Sequence, residues 1–275
     1  MALIKMFLFT LVVGYIVFSA VIYIFQHKLV YFPTKDIDMN PHDIGLEYES
    51  IFIKVDEDVK VHAWYVPKKD AKTTLFFLHG NGGNISHRLD SIKLFNSLGM
   101  NVLIFDYRGY GNSEGSANEQ NTYDDAKSAW EYLLKDKGVK PEDIIIFGRS
   151  LGGTIAANLG STLKPKAIIF ESTFTTVNEL VSDIYSYVPK MLIRFKYETT
   201  KYLKDINCPV LVVHSVDDDI IPYRFGEAVF RNANEPKTFV KISGDHNHGF
   251  LQSKDIYLPA LKKFLQELDK DKSQS

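Results

Sequence analysis

Cysteine is almost absent. Cys208 stands alone in 275 residues, so no internal disulfide forms and a disulfide-stapled scaffold is excluded, while the redox compartment stays open. Cys208 precedes Pro209 at the start of an apolar run, the setting of a buried inert thiol rather than a nucleophile. An excess of charge of one sign is also missing. Lys and Arg number 32 against 34 Asp and Glu, a formal net charge of -2. That leaves no basic field for nucleic acid, and no basic motif supplies one locally. Internal repeats, low-complexity tracts and linkers are lacking too. A chain of this length, 45% hydrophobic and 24% charged, suits one α/β domain and excludes disordered, collagenous and coiled-coil proteins.

What the chain does have, at its start, is a long apolar run. No charged residue occurs between residues 6 and 25, and a helix of that length rises about 30 Å, enough to cross a bilayer core. Tyr23, His27 and Tyr31 sit where interfacial side chains are expected. A cleaved signal peptide is the rival. Ser19 and Ala20 are small, but the run continues past them and exceeds the roughly 7–15 residues of a signal's hydrophobic region. The expectation is therefore an uncleaved single-pass anchor over 6–25, a globular domain over 26–269 and a flexible tail over 270–275. Lys5 on one flank, with Lys28 and Lys35 on the other, leaves the side of the globular domain undetermined.

After the anchor, β-branched and aromatic runs recur at 48–55, 59–66, 74–78, 101–105, 144–147, 167–170, 210–214 and 238–242. The first two flank Asp56-Glu57-Asp58 and alternate in polarity, which suits an antiparallel hairpin at a sheet edge. The other six are continuous and apolar, as in strands buried on both faces. Helical patterns fall between and after them at 86–98, 121–137, 151–163, 223–232 and 254–268. This alternation predicts an α/β fold with a mostly parallel sheet and helices on both faces.

Chemistry enters at Gly148-Arg149-Ser150-Leu151-Gly152-Gly153. A G-x-S-x-G between a strand and a helix puts its serine on a tight turn, at a helix N-terminus where backbone N–H groups favour developing negative charge. As a mere helix cap Ser150 would need no such flanks. A serine hydroxyl needs a base, and the base an orienting acid. The run at 210–213 leads into His214-Ser215-Val216-Asp217-Asp218-Asp219, whose three carboxylates at a strand end offer the acid. The last run leads into Ser243-Gly244-Asp245-His246-Asn247-His248, where two histidines compete for the base and His246 is preferred. Their H-x-H spacing suits a metal, but no partner pattern completes a site, so neither metal nor cofactor is expected. His27, His42, His62, His79, His87 and His214 take structural roles by default. Finally, the glycine-rich His79-Gly80-Asn81-Gly82-Gly83-Asn84 directly follows a strand. The backbone N–H groups of Asn81 and Leu151 are the candidate oxyanion donors. A phosphate loop would need a Lys-Ser/Thr ending or G-x-G-x-x-G, which this loop lacks.

These motifs, with Ile85-Ser86-His87-Arg88, Asp106-Tyr107-Arg108-Gly109-Tyr110-Gly111-Asn112-Ser113 and Glu171-Ser172-Thr173-Phe174, resemble the α/β-hydrolase superfamily. More narrowly they resemble its membrane-anchored bud-emergence-type group, related to α/β-hydrolase domain-containing proteins 13 and 17 and to serine aminopeptidase-like hydrolases. Residues 25–33 resemble the segment that follows the group's anchor, so the likeness covers almost the whole chain. It implies an eight-stranded sheet. The family's acid motif, His-Gly-x-x-Asp-x-x-Val-Pro, falls on 214–222 and puts the acid at Asp218, with Ser215 for Gly and Ile221 for Val. Its histidine motif, Gly-x-x-His-Asn-Asp, falls on 243–248 and puts the base at His246, with His248 in the last place. A Ser150-Asp218-His246 triad acting through an acyl-enzyme is the implied mechanism.

Substrate expectations rest on residues 173–205, long and aromatic and interrupted by Pro189. They read as a short cap over the site, with Phe174, Tyr185 and Tyr187 as substrate-lid residues, or else as surface helices packed on the sheet. An apolar lid beside a membrane anchor suggests acyl esters or thioesters of lipids, acylated proteins or small molecules. A serine peptidase is the alternative, and a non-catalytic tethered scaffold the alternative of another class. Oligomeric state is not legible.

Overall fold

The structure, a computed structural model, describes residues 1–272. Its centre is a sheet of eight strands: β1 (Glu49–Lys54), β2 (Lys60–Val66), β3 (Thr74–Leu78), β4 (Asn101–Phe105), β5 (Ile144–Arg149), β6 (Ala167–Glu171), β7 (Val210–Ser215) and β8 (Lys237–Ile242). They lie in the order β8-β7-β6-β5-β3-β4-β2-β1. Each expected run became a strand, its ends displaced by two residues at most. The β1–β2 hairpin is antiparallel, as its alternation predicts, and β2 also meets β4 antiparallel. Every other pair is parallel. The sheet is thus mixed, with its antiparallel part confined to one edge.

Continuous apolar runs make sense here because successive side chains point to opposite faces and both faces are covered. Phe76, Ile144, Ile146, Ile168 and Val210 enter one core, while Leu75, Phe77, Ile145, Phe147, Ile169 and Leu211 enter the other. The first is closed by α3 (Glu119–Lys135), α4 (Leu151–Thr162) and α6 (Tyr223–Asn232), through Trp130, Ile155 and Val229. The second is closed by α2 (Leu89–Ser97) and α7 (Lys254–Lys272), through Phe95, Leu261 and Phe264. Each such side chain, fully buried, contributes roughly 1.5–3 kcal/mol. β8 departs from the expectation of two covered faces: as an edge strand it leaves Thr238 and Lys241 exposed. α7 runs further than expected, so 270–272 are helical, and the rest of the expected tail, 273–275, lies outside the described residues.

Two features precede the sheet. Helix α1 (Ala2–Phe25) has no buried residue and a mean hydropathy of 2.4 over its best window, long and apolar enough to cross a membrane. After a helical turn, Phe32–Pro33 pairs in parallel with Gly82–Gly83 of the loop after β3. The expected cap, 173–205, contains α5 (Val177–Ile184), a 3-10 turn over Lys190–Leu192 that follows Pro189, and a short helix over Thr199–Leu203. The three aromatic residues expected as a lid lie in different surroundings. Phe174 is 4% exposed and belongs to the core. Tyr185 and Tyr187 are exposed, and Tyr187 packs on α1, its ring 6.4 Å from that of Phe18. Buried Gln26 ties this segment to the chain start by donating to the Leu192 carbonyl and accepting from Arg194 N.

The chain reverses direction of growth beside β3, which has β4 on one side and β5 on the other. At such a switch point the loops leaving the carboxyl ends diverge and open a crevice. The loops concerned are those that carry His79–Asn84 and Ser150.

Candidate active site

Ser150 occupies the one-residue turn between β5 and α4, at φ 54° and ψ -120°. A side chain rarely adopts this conformation, and it persists where packing over-determines it. Here Ser150 N donates to the Glu171 carbonyl, and its own carbonyl accepts from Thr173 Oγ1 at 2.8 Å. Glycine is compulsory on both sides of the turn. A Cβ at Gly148 would strike Gly152 O and Gly153, and one at Gly152 would strike the Leu78 and His79 carbonyls. The turn can therefore be this tight only with the two glycines of the motif.

Of the three carboxylates after β7, each has its own partner. Asp217 accepts weakly from Gly244 N, and Asp219 accepts from His246 N at 3.0 Å. Asp218, its side chain fully buried, receives His246 Nδ1 at 2.8 and 2.9 Å and the amides of Ile220 and Ile221 at 3.0 and 2.7 Å. Burial works to raise its pKa. The hydrogen bond and charge of His246, with the two amides, outweigh that and hold the carboxyl below its ordinary value. With Nδ1–H committed to Asp218, His246 keeps Nε2 free to take a proton. His248 stands elsewhere, exposed and bonded to Asp245 at 3.1 Å. His214, expected as a structural residue, lies on the far side of the acid: its Nε2 meets the Ile221 carbonyl at 2.9 Å and Asp218 Oδ2 at 3.5 Å. Burial lowers the pKa of His214. Cys208, away from all of these, has its thiol pushed up to about 12 by burial.

A cavity of about 400 Å³ collects these parts, lined by Ser150, His246, Gly80, Asn81, Arg88 and Arg149 among others. Among the described residues no hydrogen bond joins Ser150 to His246; such contacts commonly tighten when substrate binds. As the first residue of α4, Leu151 has an N–H with no intrahelical partner. The Asn81 N–H likewise has no backbone acceptor among the described residues. The Asn81 loop is held from three directions. Tyr110 donates to its carbonyl at 2.8 Å, Phe32 N does so at 3.0 Å, and Asn81 Nδ2 reaches back to the Val30 carbonyl. Tyr107 fixes the His79 carbonyl at 2.9 Å. His79 itself is fully buried, with Nδ1 on the Gly80 carbonyl.

Phe174, Tyr185 and Tyr187 are not among the cavity's lining residues; Phe32, Ile220 and Asn247 are. Phe32 was beyond sequence reasoning because it arrives by pairing with a loop far along the chain. Arg88 and Arg149 stood inside motifs already singled out, and the place of Arg149 directly before Ser150 was the available signal. Among the described residues no group of three His, Cys, Asp or Glu stands together to hold a metal ion.

A family model described as "Serine aminopeptidase, S33" matches residues 69–199, a span from before β3 to the cap. The α/β hydrolase domain-containing protein WAV2 of Arabidopsis thaliana is 30% identical over 282 residues, covering 92% of this chain and 91% of that protein. The lysophosphatidylserine lipase ABHD12 of Danio rerio is 30% identical over 239 residues, covering 72% of this chain and 62% of the lipase. Among solved structures, the Pyrococcus furiosus esterase Pf2001 superposes with a TM-score of 0.72 at 18% identity, over 87% of this chain and 98% of the esterase, a likeness of fold. By strand order and by these similarities, the chain belongs to the α/β-hydrolase family.

Proposed function

We propose that the protein is a serine hydrolase that cleaves acyl esters or thioesters, with Ser150 as nucleophile, His246 as base and Asp218 as its orienting acid. The observation that carries this reading is the buried Asp218–His246 pair, whose histidine lines the same cavity as a serine held in a strained turn. Ser150 Oγ attacks the acyl carbonyl while His246 Nε2 takes its proton. The carbonyl oxygen, now negative, is received by the amides of Leu151 and Asn81. As the intermediate collapses, His246 returns the proton to the leaving alcohol or thiol. Water, deprotonated by the same nitrogen, then releases the acid from Ser150. Asp218 stays ionised throughout and stabilises the imidazolium.

A lipid or acylated protein is the substrate class we favour. In support stand α1, which would bring the cavity to a bilayer, and the lipase and esterase names of the relative and the fold neighbour. The peptidase reading draws on the description of the matching family model. Labelling with a fluorophosphonate probe tests the nucleophile: wild type is labelled, and Ser150→Ala loses the label together with all but about a thousandth of its ester turnover. A label that survives the substitution rejects the assignment. Long-chain over short-chain p-nitrophenyl esters separates a lipid hydrolase from a peptidase, which would favour aminoacyl amides.

A further inference from the structure

Two arginines stand at the wall of the cavity, and they are not equivalent. Arg149, the residue before Ser150, is 5% exposed and paired with a carboxylate. Its Nε meets Glu171 Oε1 at 2.5 Å, an Nη donates to Ser91 Oγ at 3.0 Å, and the guanidinium lies 4.3 Å from the centre of the Phe250 ring. Glu171 is in turn occupied on its other oxygen by Tyr257 OH. Both oxygens of that carboxylate are thus engaged.

Arg88 closes the turn Ile85–Arg88 after the oxyanion loop and is paired with no carboxylate among the described residues. One Nη donates to the Gly82 carbonyl, while its Nε is out of solvent and has no partner. Asp106, whose charge acts on it, spends Oδ1 on Ile85 N, keeps a buried Oδ2 without a hydrogen-bond partner, and makes no ion pair with Arg88 among the described residues. Burial and the neighbouring charge of Arg149 push its pKa down to about 10, the state of a cation in want of a counter-charge. Beside the main cavity lies a second, of about 220 Å³, and the two share His87, Arg88, Arg149 and Asn247 in their walls. The arginines thus stand where the space next to Ser150 continues into a polar side pocket.

We propose that Arg88, flanked by Arg149 and Asn247, forms a subsite for an anionic group, phosphate or carboxylate, carried by the substrate a few bonds from the ester that Ser150 attacks. This rests on the serine hydrolase reading of the same cavity. An anion there meets a planar, half-buried guanidinium, already oriented by Gly82 and paired with no carboxylate, which is the arrangement that favours short, charge-assisted hydrogen bonds. Arg149, ion-paired with Glu171, shapes the wall.

The test uses full-length protein in detergent and matched substrates that differ by the anion. 1-Oleoyl-lysophosphatidic acid is compared with 1-oleoylglycerol for a phosphate, and p-nitrophenyl hydrogen succinate with p-nitrophenyl butyrate for a carboxylate. For at least one pair the wild-type ratio of kcat/KM, anionic over neutral, should fall about tenfold or more in Arg88→Gln and be largely restored in Arg88→Lys. The pair that responds identifies the anion. Titrating inorganic phosphate and succinate into Ser150→Ala by calorimetry reads the subsite without turnover. Binding of one of them should appear there and vanish when Arg88→Gln is added. Ratios unchanged by Arg88→Gln in both pairs, or anion binding that is absent or indifferent to Arg88, overturn the subsite. Loss of probe labelling at Ser150 reports separately on the hydrolase reading.

Discussion

At the scale of single residues, the acid carries the sharpest expectation. Replacing Asp218 by Asn leaves a side chain of nearly the same shape but reverses the preferred tautomer of His246. On the precedent of other triads, kcat should drop about 10³- to 10⁴-fold with little change in KM, measured by ester hydrolysis. Stability should respond with a definite sign. The carboxyl is held below its ordinary 3.8 in the folded protein, so its contribution is fully present above that value and is lost as the pH falls through the lowered one. The Tm gap between wild type and Asp218→Asn should therefore be widest above about pH 4 and narrow below it. These residues were legible beforehand because their chemistry is local. Gly148 and Gly152 announce a tight turn around Ser150, and the carboxylates and histidines follow strands whose apolar runs are unmistakable. Which carboxylate faces which histidine was not a local matter, since Asp217, Asp218 and Asp219 differ in partner and not in type.

At the scale of elements, the part hardest to foresee is the support of the loop that carries Asn81. Tyr110 and Phe32 come from segments that the sequence offered only as parts of a family likeness, and their meeting at Asn81 is a product of tertiary pairing. The aromatic residues of the expected cap were hard to place for a similar reason. Phe174 and Tyr187 are both aromatic, yet one sits in the core and the other against α1, and composition does not say which way a side chain faces. If the loop's backbone is held by these contacts, Tyr110→Phe should lower kcat about tenfold and leave KM within about a factor of two, because the donor geometry matters most once the oxyanion forms. Truncation offers a coarser check. Protein beginning at Gln26 retains the Phe32–Pro33 pairing with Gly82–Gly83 and should keep its turnover of soluble esters. Protein beginning at Lys35 lacks that strand and should lose most of it.

At the scale of the whole molecule, an α/β body and an exposed apolar helix sit side by side. Full-length protein should sediment with membranes and resist carbonate extraction, and protein lacking 2–25 should be released to the supernatant. Between the last turn of α1 and Phe32 at the rim of the cavity the chain spans at most about 25 Å even when fully stretched. It is in fact folded shorter, by a helical turn over His27–Val30 and by the clasp of Gln26. Were α1 to lie in a bilayer, that brief leash would confine the mouth of the cavity to a thin shell over one leaflet. Encounter then becomes a search in two dimensions, and a molecule's address, more than its outline, decides whether it is ever met.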